Sequence, residues 1–192
     1  MENIIGICGK FGSGKSTIAE YISEETNIEI FRFDKFIITQ LLRFPYRRLA
    51  KKRLGLSPSL NFDHLLSNMR NLDRNLTSIE KKTILRWGNK EIKRLGRSGK
   101  PILIDFFGLP ISKFFPAFGT KILITSDDEI RKGKLEMRNG FSKEEISRID
   151  SLAADIVTYN KEEFDYIIEN DYKSMPAEIN QILALIRSKY SS

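Results

Sequence analysis

Apolar residues gather in five short runs, at positions 3–8, 28–33, 101–106, 120–125 and 164–168. Four read as parallel strands covered on both faces, and 164–168 as a weaker fifth. Between them the apolar spacing becomes helical. Residues 174–190 open with Ser174 and Pro176 and set Ile179, Ile182, Leu183 and Ile186 on one face. Residues 77–95 do the same with Ile84, Trp87, Ile92 and Leu95. Ser126 with Glu129, Ser142 with Glu145 and Thr77 with Glu80 have the spacing of capping boxes. Alternating strands and helices predict an α/β fold of three layers, built on a five-stranded parallel sheet with right-handed crossovers. Ligands then gather at the carboxyl ends of the strands.

Residues 35–99 exceed what one crossover needs, since a strand–helix–strand unit requires only about 10–12 residues between its strands. A helical insert is expected there, with loops marked by Gly55, Pro58, Gly96 and Gly99. At 192 residues with 41% hydrophobic content, the chain suits a single domain spanning 1–192. The one cysteine, Cys8, lies within the first strand and reads as a buried small hydrophobe. That fits a reducing, cytoplasmic setting. No apolar run approaches a membrane span, and no membrane partner is expected. The net charge of +7 suits a polyanionic small substrate as well as nucleic acid; a small molecule is the expected partner and nucleic acid is not. Oligomeric state is not legible.

The first run leads directly into GKFGSGKST, which fits G-x-x-x-x-G-K-[ST] at Gly9, Gly14, Lys15 and Ser16, between a strand and a helix. The glycines, Gly12 included, let the backbone bend around an anion, and the following helix adds the positive end of its dipole. Lys15 is expected to reach the β- and γ-phosphates of ATP and Ser16 to ligate Mg²⁺, with Ser13 and Thr17 assisting. The chain is therefore expected to have a P-loop NTPase fold, with 35–99 as a helical acceptor-binding subdomain.

Three aspartates close strand-like runs: Asp34, Asp105 and Asp127. Asp127 reads as the neighbour of the next helix start. Asp105 is the candidate acid behind the Mg²⁺ ion, and Asp34 the candidate base toward an acceptor hydroxyl. Arg131, Lys134 and Arg138 recur at helical spacing and are expected to form one cationic face of a lid over 128–150, moving about Gly133, Asn139 and Gly140. The basic run RFPYRRLAKKR, 43–53, either grips an anionic acceptor or lies solvated. His64 carries no assigned chemistry. The five phenylalanines from 106 to 118 are expected in the core or along a pocket wall.

Together these segments resemble the dephospho-CoA kinase family. The likeness is carried by IIGICGKFGSGKSTIAEYI, KPILIDF, KILITSDDEIRKGKLEMRNGFSKEEISRI and FDYIIEND, and is nearly absent from 40–99. It implies an ATP- and Mg²⁺-dependent phosphotransferase of coenzyme A synthesis acting on the ribose 3′-hydroxyl of dephospho-CoA. Asp34 would be the base, Lys134 and Arg138 the lid cations, and Asn170 would lie near the adenine. The chain departs from the family at Arg32, where a second acid is usual, and at Phe107-Gly108-Leu109 in place of Pro-Leu-Leu. The family's His-Pro pair and lid glutamine are also missing. Three other readings share the nucleotide side. One is a nucleoside or nucleotide kinase. Another is a GTP-binding switch protein, suggested by D-x-x-G at Asp105–Gly108, though the nearest guanine-reading stretch, from Asn160 to Glu163, ends in Glu for Asp. The last is a nucleotide-binding protein without catalysis.

Overall fold

The computed structural model describes residues 1–42 and 78–190. The basic run 43–53, His64 and Thr77 lie outside the described residues. The chain runs β1 (Ile4–Gly9), α1 (Lys15–Thr26), β2 (Glu29–Arg32), α2 (Phe33–Leu42), α3 (Ser78–Arg97), β3 (Ile102–Asp105), β4 (Thr120–Thr125), α4 (Asp128–Asn139), α5 (Lys143–Ala154), β5 (Tyr166–Glu169) and α6 (Glu178–Tyr190). Short 3₁₀ turns at Leu109–Ile111, Phe115–Ala117 and Lys161–Glu163 fill the connections.

The strands form one five-stranded sheet in the order β2-β3-β1-β4-β5, with every pair parallel. In register, Ile7 stands beside Asp105 and Gly9 beside Ile124, so β1, β3 and β4 finish level with the loop that follows β1. One face of the sheet packs Ile5, Ile7, Leu103, Ile122 and Ile168 under Ile18 and Ile22 of α1 and Ile179, Ile182, Leu183 and Ile186 of α6. All four α6 residues expected on one face are buried. The other face carries Ile4, Cys8, Ile104 and Leu123 under Ile92 and Leu95 of α3 and Phe106, Phe115, Phe118 and Phe164. The Phe-rich stretch is therefore core, as expected, and Cys8 is a buried, free thiol. Burial of each such side chain contributes about 1.5–3 kcal/mol, which makes the sheet and its two apolar faces the rigid frame of the site.

Two local expectations are corrected. The second strand stops at Arg32, so Asp34 does not end a strand; it occupies the first turn of α2. Phe33 decides this. It is 3% exposed, its ring centroid lies 4.6 Å from that of Phe106, and a β-carbon on Gly88 of α3 would stand 2.6 Å from its tip. Burying that ring turns the chain into a helix directly after the edge strand, and a carboxylate is favoured at such a helix start. Second, α4 is capped by Asp127 rather than Ser126: Asp127 Oδ1 accepts from the N–H groups of Glu129 and Ile130 at 2.9 and 3.0 Å. Ser142 and Glu145 do form the expected capping box at the start of α5. Gly133 lies inside α4, and Gly140 is its left-handed C-cap.

Candidate active site

The loop between β1 and α1 curls over the carboxyl end of the sheet. The Ser13 N–H donates to the Lys10 carbonyl at 3.1 Å, and Gly14 caps α1 with φ of 86°. A β-carbon on Gly14 would lie 2.1 Å from Asn170 Nδ2, so the loop needs glycine both for conformation and for space. Lys15, the first residue of α1, is 7% exposed, and among the described residues no hydrogen bond or ion pair within 4.0 Å holds its ammonium. A buried cation at a helix N-terminus is an anion site by both charge and dipole. Ser13 is buried as well, and its hydroxyl has no hydrogen-bond partner among the described residues. Thr17 follows on the exposed side of α1.

Ser16 and Asp105 come together as the sequence suggested. The Ser16 hydroxyl donates to Asp105 Oδ2 at 2.7 Å, while Asp105 Oδ1 is buried without a hydrogen-bond partner among the described residues. A hydroxyl and an acid presenting hard oxygen donors beside a phosphate loop fit Mg²⁺, with Ser16 as the ligand and Asp105 behind it. Among the described residues no cluster of three or more His, Cys, Asp or Glu side chains is placed to hold a metal.

Asp34 reaches the same corner from α2. Burial pushes its carboxyl from 3.8 up to about 7; Lys15 pulls it down, Asp105 pushes it up and Arg32 pulls it down. An acid balanced near neutral pH beside a cation and a second acid has the character of a general base. Arg32, at the end of β2, pairs with Glu20 of α1 and lies 3.9 Å from Asp105 Oδ2.

Asn170 lies against the phosphate loop. It is 7% exposed and its amide is committed to the loop: Nδ2 donates to the Ser13 carbonyl at 3.0 Å, and Oδ1 accepts from the Tyr172 N–H at 3.0 Å. Tyr172, with φ of 61°, then donates its hydroxyl to the Gly12 carbonyl at 2.5 Å. The segment after β5 thus ties down two loop carbonyls, those of Ser13 and Gly12. Sequence reading missed Tyr172, two residues beyond the Asn. Asn170→Ala leaves the Ser13 carbonyl unpaired, at a cost of about 1–3 kcal/mol. The expected result is a several-fold rise in the ATP KM with a smaller change in kcat, read by steady-state kinetics; an unchanged KM would show that the strut does not shape the loop.

The cationic helix face is also redistributed. Arg131 is completely buried: it donates to the Phe11 carbonyl at 2.9 Å, and it pairs with Asp150 at 2.5 Å and with Asp128 at 3.2 Å. Lys10 completes the network by donating to both oxygens of Asp128 at 3.1 Å. Phe11 itself packs edge-on to Phe141 beside Leu135, Ile146 and Ile149. Arg131 is thus a fastener between the phosphate loop, α4 and α5, not a lid cation. The i+3 spacing put it on one stripe with Lys134, but only Asp150, remote in sequence, reveals what it binds. Lys134 is exposed, its ammonium 5.9 Å from the Tyr172 ring centroid, at the loop's edge. Arg138 lies in the last turn of α4, and its side chain is outside the described residues. Arg131→Met strands Asp150, which keeps partial solvent access, and is expected to cost about 2–4 kcal/mol in denaturant unfolding. Lys134→Ala should stay within about 0.5 kcal/mol. Equal effects would contradict the division of labour.

A cavity of about 740 Å³ opens between α4, α5 and Val157–Tyr159, with Lys10, Lys132 and Tyr159 among its walls. Neither Lys15, Asp34 nor Asp105 lines it.

Residues 5–153 match the family model described as AAA domain. The chain belongs to that family. No curated protein matches it closely enough to count as a relative. Among solved structures, this AAA domain is similar to dephospho-CoA kinase from Campylobacter jejuni at 19% identity, over 99% of this chain and 98% of that one, with a TM-score of 0.54. It is similar also to a gluconokinase from Sinorhizobium meliloti 1021 at 12% identity, over 97% and 90%, with a TM-score of 0.55. Shikimate kinase from Bacteroides thetaiotaomicron matches at 14% identity, over 98% of each chain, with a TM-score of 0.52. These likenesses give the AAA domain the fold of P-loop small-molecule kinases. No helix among its described residues is long and apolar enough to cross a membrane.

Proposed function

We propose that the protein is an ATP-dependent phosphotransferase that moves the γ-phosphoryl group to an alcohol, with the ribose 3′-hydroxyl of dephospho-CoA as the acceptor. The observation that carries this reading is the contact of Ser16 with Asp105 at 2.7 Å beside a buried Lys15, with Asp34 in the same corner. Lys15 and the loop N–H groups hold the β- and γ-phosphates and stabilise the charge that spreads over the equatorial oxygens in the transition state. Ser16 and Asp105 would hold Mg²⁺, which would neutralise negative charge on the phosphates. Asp34 takes the proton of the acceptor hydroxyl as the new oxygen–phosphorus bond forms and the bond from the γ-phosphorus to the β–γ bridging oxygen breaks, with ADP as the leaving group. Lys134 and Arg138, both on α4, are the cations that the resemblance assigns to the transferred group. The acceptor assignment rests on the sequence resemblance and on the likeness to the Campylobacter enzyme. The likeness to a gluconokinase and a shikimate kinase makes another small hydroxylated acceptor the second reading.

A coupled ADP-release assay tests both. Dephospho-CoA comes first, followed by shikimate, gluconate and a set of nucleosides, each with ATP and with GTP. ADP release driven by dephospho-CoA supports the first reading. Release driven by another acceptor moves the protein to the second. GTP preference without any acceptor dependence would contradict a kinase.

A further inference from the structure

The edge of the site carries a cation where an acid is usual in the resembled family. The Arg32 guanidinium lies between two carboxylates. One of its terminal nitrogens pairs with Glu20 on α1, and the other stands 3.9 Å from Asp105 Oδ2. That same Oδ2 accepts the Ser16 hydroxyl at 2.7 Å. Asp105 is 3% exposed, whereas Arg32 keeps 30% of its side chain in solvent. The register of the sheet fixes this arrangement, because Arg32 and Asp105 are direct partners in the β2–β3 pairing. Arg32 is therefore not a passing surface cation but a ladder neighbour of the acid behind Ser16.

We propose that Arg32 is a positioning residue that restrains Asp105 and opposes Mg²⁺ at the Ser16–Asp105 pair, with Glu20 setting how strongly it does so. The inference rests on the kinase reading of that pair. Two consequences follow from charge and geometry. A cation about 4 Å from a buried carboxylate oxygen disfavours a second cation arriving at the same acid. Glu20 competes for the guanidinium and so relieves that opposition. A site built this way stays partly neutralised without nucleotide, and takes up Mg²⁺ chiefly when the phosphates bring further negative charge.

The test is a Mg²⁺ titration of the whole protein with a fluorescent ATP analogue, reading the Mg²⁺ concentration at half-maximal binding enhancement. Arg32→Ala is expected to lower that midpoint about 3- to 10-fold, a change of roughly 0.7–1.4 kcal/mol at RT near 0.59 kcal/mol, with analogue binding in EDTA much less affected. Arg32→Lys keeps the charge and should stay near the wild-type midpoint. Glu20→Gln is expected to raise the midpoint, and to do so far less in the Arg32→Ala background, which is the non-additivity a direct coupling requires. Arg32→Ala and wild type sharing one midpoint would overturn the inference, as would a Glu20→Gln shift equal in both backgrounds. Failure of the wild type to bind the analogue at all would overturn the kinase reading beneath it. Binding with an unaltered Mg²⁺ response overturns the Arg32 inference alone. Denaturant unfolding of each variant separates a lost fold from a changed metal response.

Discussion

Lys15→Ala is expected to reduce phosphoryl transfer by at least about a hundredfold, a loss of roughly 3 kcal/mol or more of transition-state stabilisation, while the fold persists. The reason lies in where the ammonium sits. It is buried at the first turn of α1, above the ends of β1 and β3, with no ion pair within 4.0 Å among the described residues. Such a charge contributes little to stability and is held ready for an anionic ligand. The variant should therefore unfold at a denaturant concentration close to, or above, that of the wild type. Steady-state transfer kinetics alongside unfolding curves check both halves. Near-normal turnover in a folded variant would remove the basis for phosphoryl transfer at this loop.

Asp34→Asn keeps shape and burial and removes the base. Turnover is expected to fall by about 100- to 10,000-fold, toward the smaller end if proton removal comes late in a loose transition state. ATP binding should change little. The pH profile gives a second signature: with a carboxyl pushed up to about 7, wild-type transfer should rise with pH through that value as Asp34 ionises. The stability consequence has the opposite sign. Between the ordinary value of 3.8 and about 7, the folded protein holds this proton more tightly than the unfolded chain does, so stability falls as pH rises across that window. Asn has no proton to lose. Relative to wild type, Asp34→Asn should gain stability between pH 5 and pH 8, by about 1–3 kcal/mol once partial solvent access is allowed for. Parallel denaturant titrations at the two pH values measure this. A pH-independent difference would mean that Asp34 does not sit in the electrostatic environment described.

What was legible in the sequence follows from what is local. A phosphate loop is a local object: glycine conformations, a following helix and a lysine within one turn are all written into nine residues, and the structure has them where the spacing put them. The sheet was readable as well: the buried runs of β1, β3 and β4 leave a direct pattern, though the edge strands β2 and β5 are only partly covered, and the buried stripe of α6 and the aromatic core were legible too. Asp105 could be found because it closes such a run. Asp34 was found as a residue but misplaced as an element. The turn into α2 depends on Phe33 fitting against Gly88 and Phe106, contacts across more than fifty positions of chain that no periodicity shows. Arg131 shows the same limit: its charge and helical spacing suggested a lid cation, and its guanidinium is satisfied instead by Asp150, remote in sequence. Charge at helical spacing says which residues share a stripe, but not which of them the packing buries.

Transfer of label from γ-phosphate-labelled ATP to dephospho-CoA, with the product identified by mass and by the position of the new phosphate, tests the central claim most directly. Wild-type protein with Mg²⁺ is predicted to place the label on the ribose 3′-hydroxyl, and Lys15→Ala and Asp34→Asn to place little or none there in the same time. Label recovered only as inorganic phosphate, or equal labelling by the two variants and the wild type, would contradict the account.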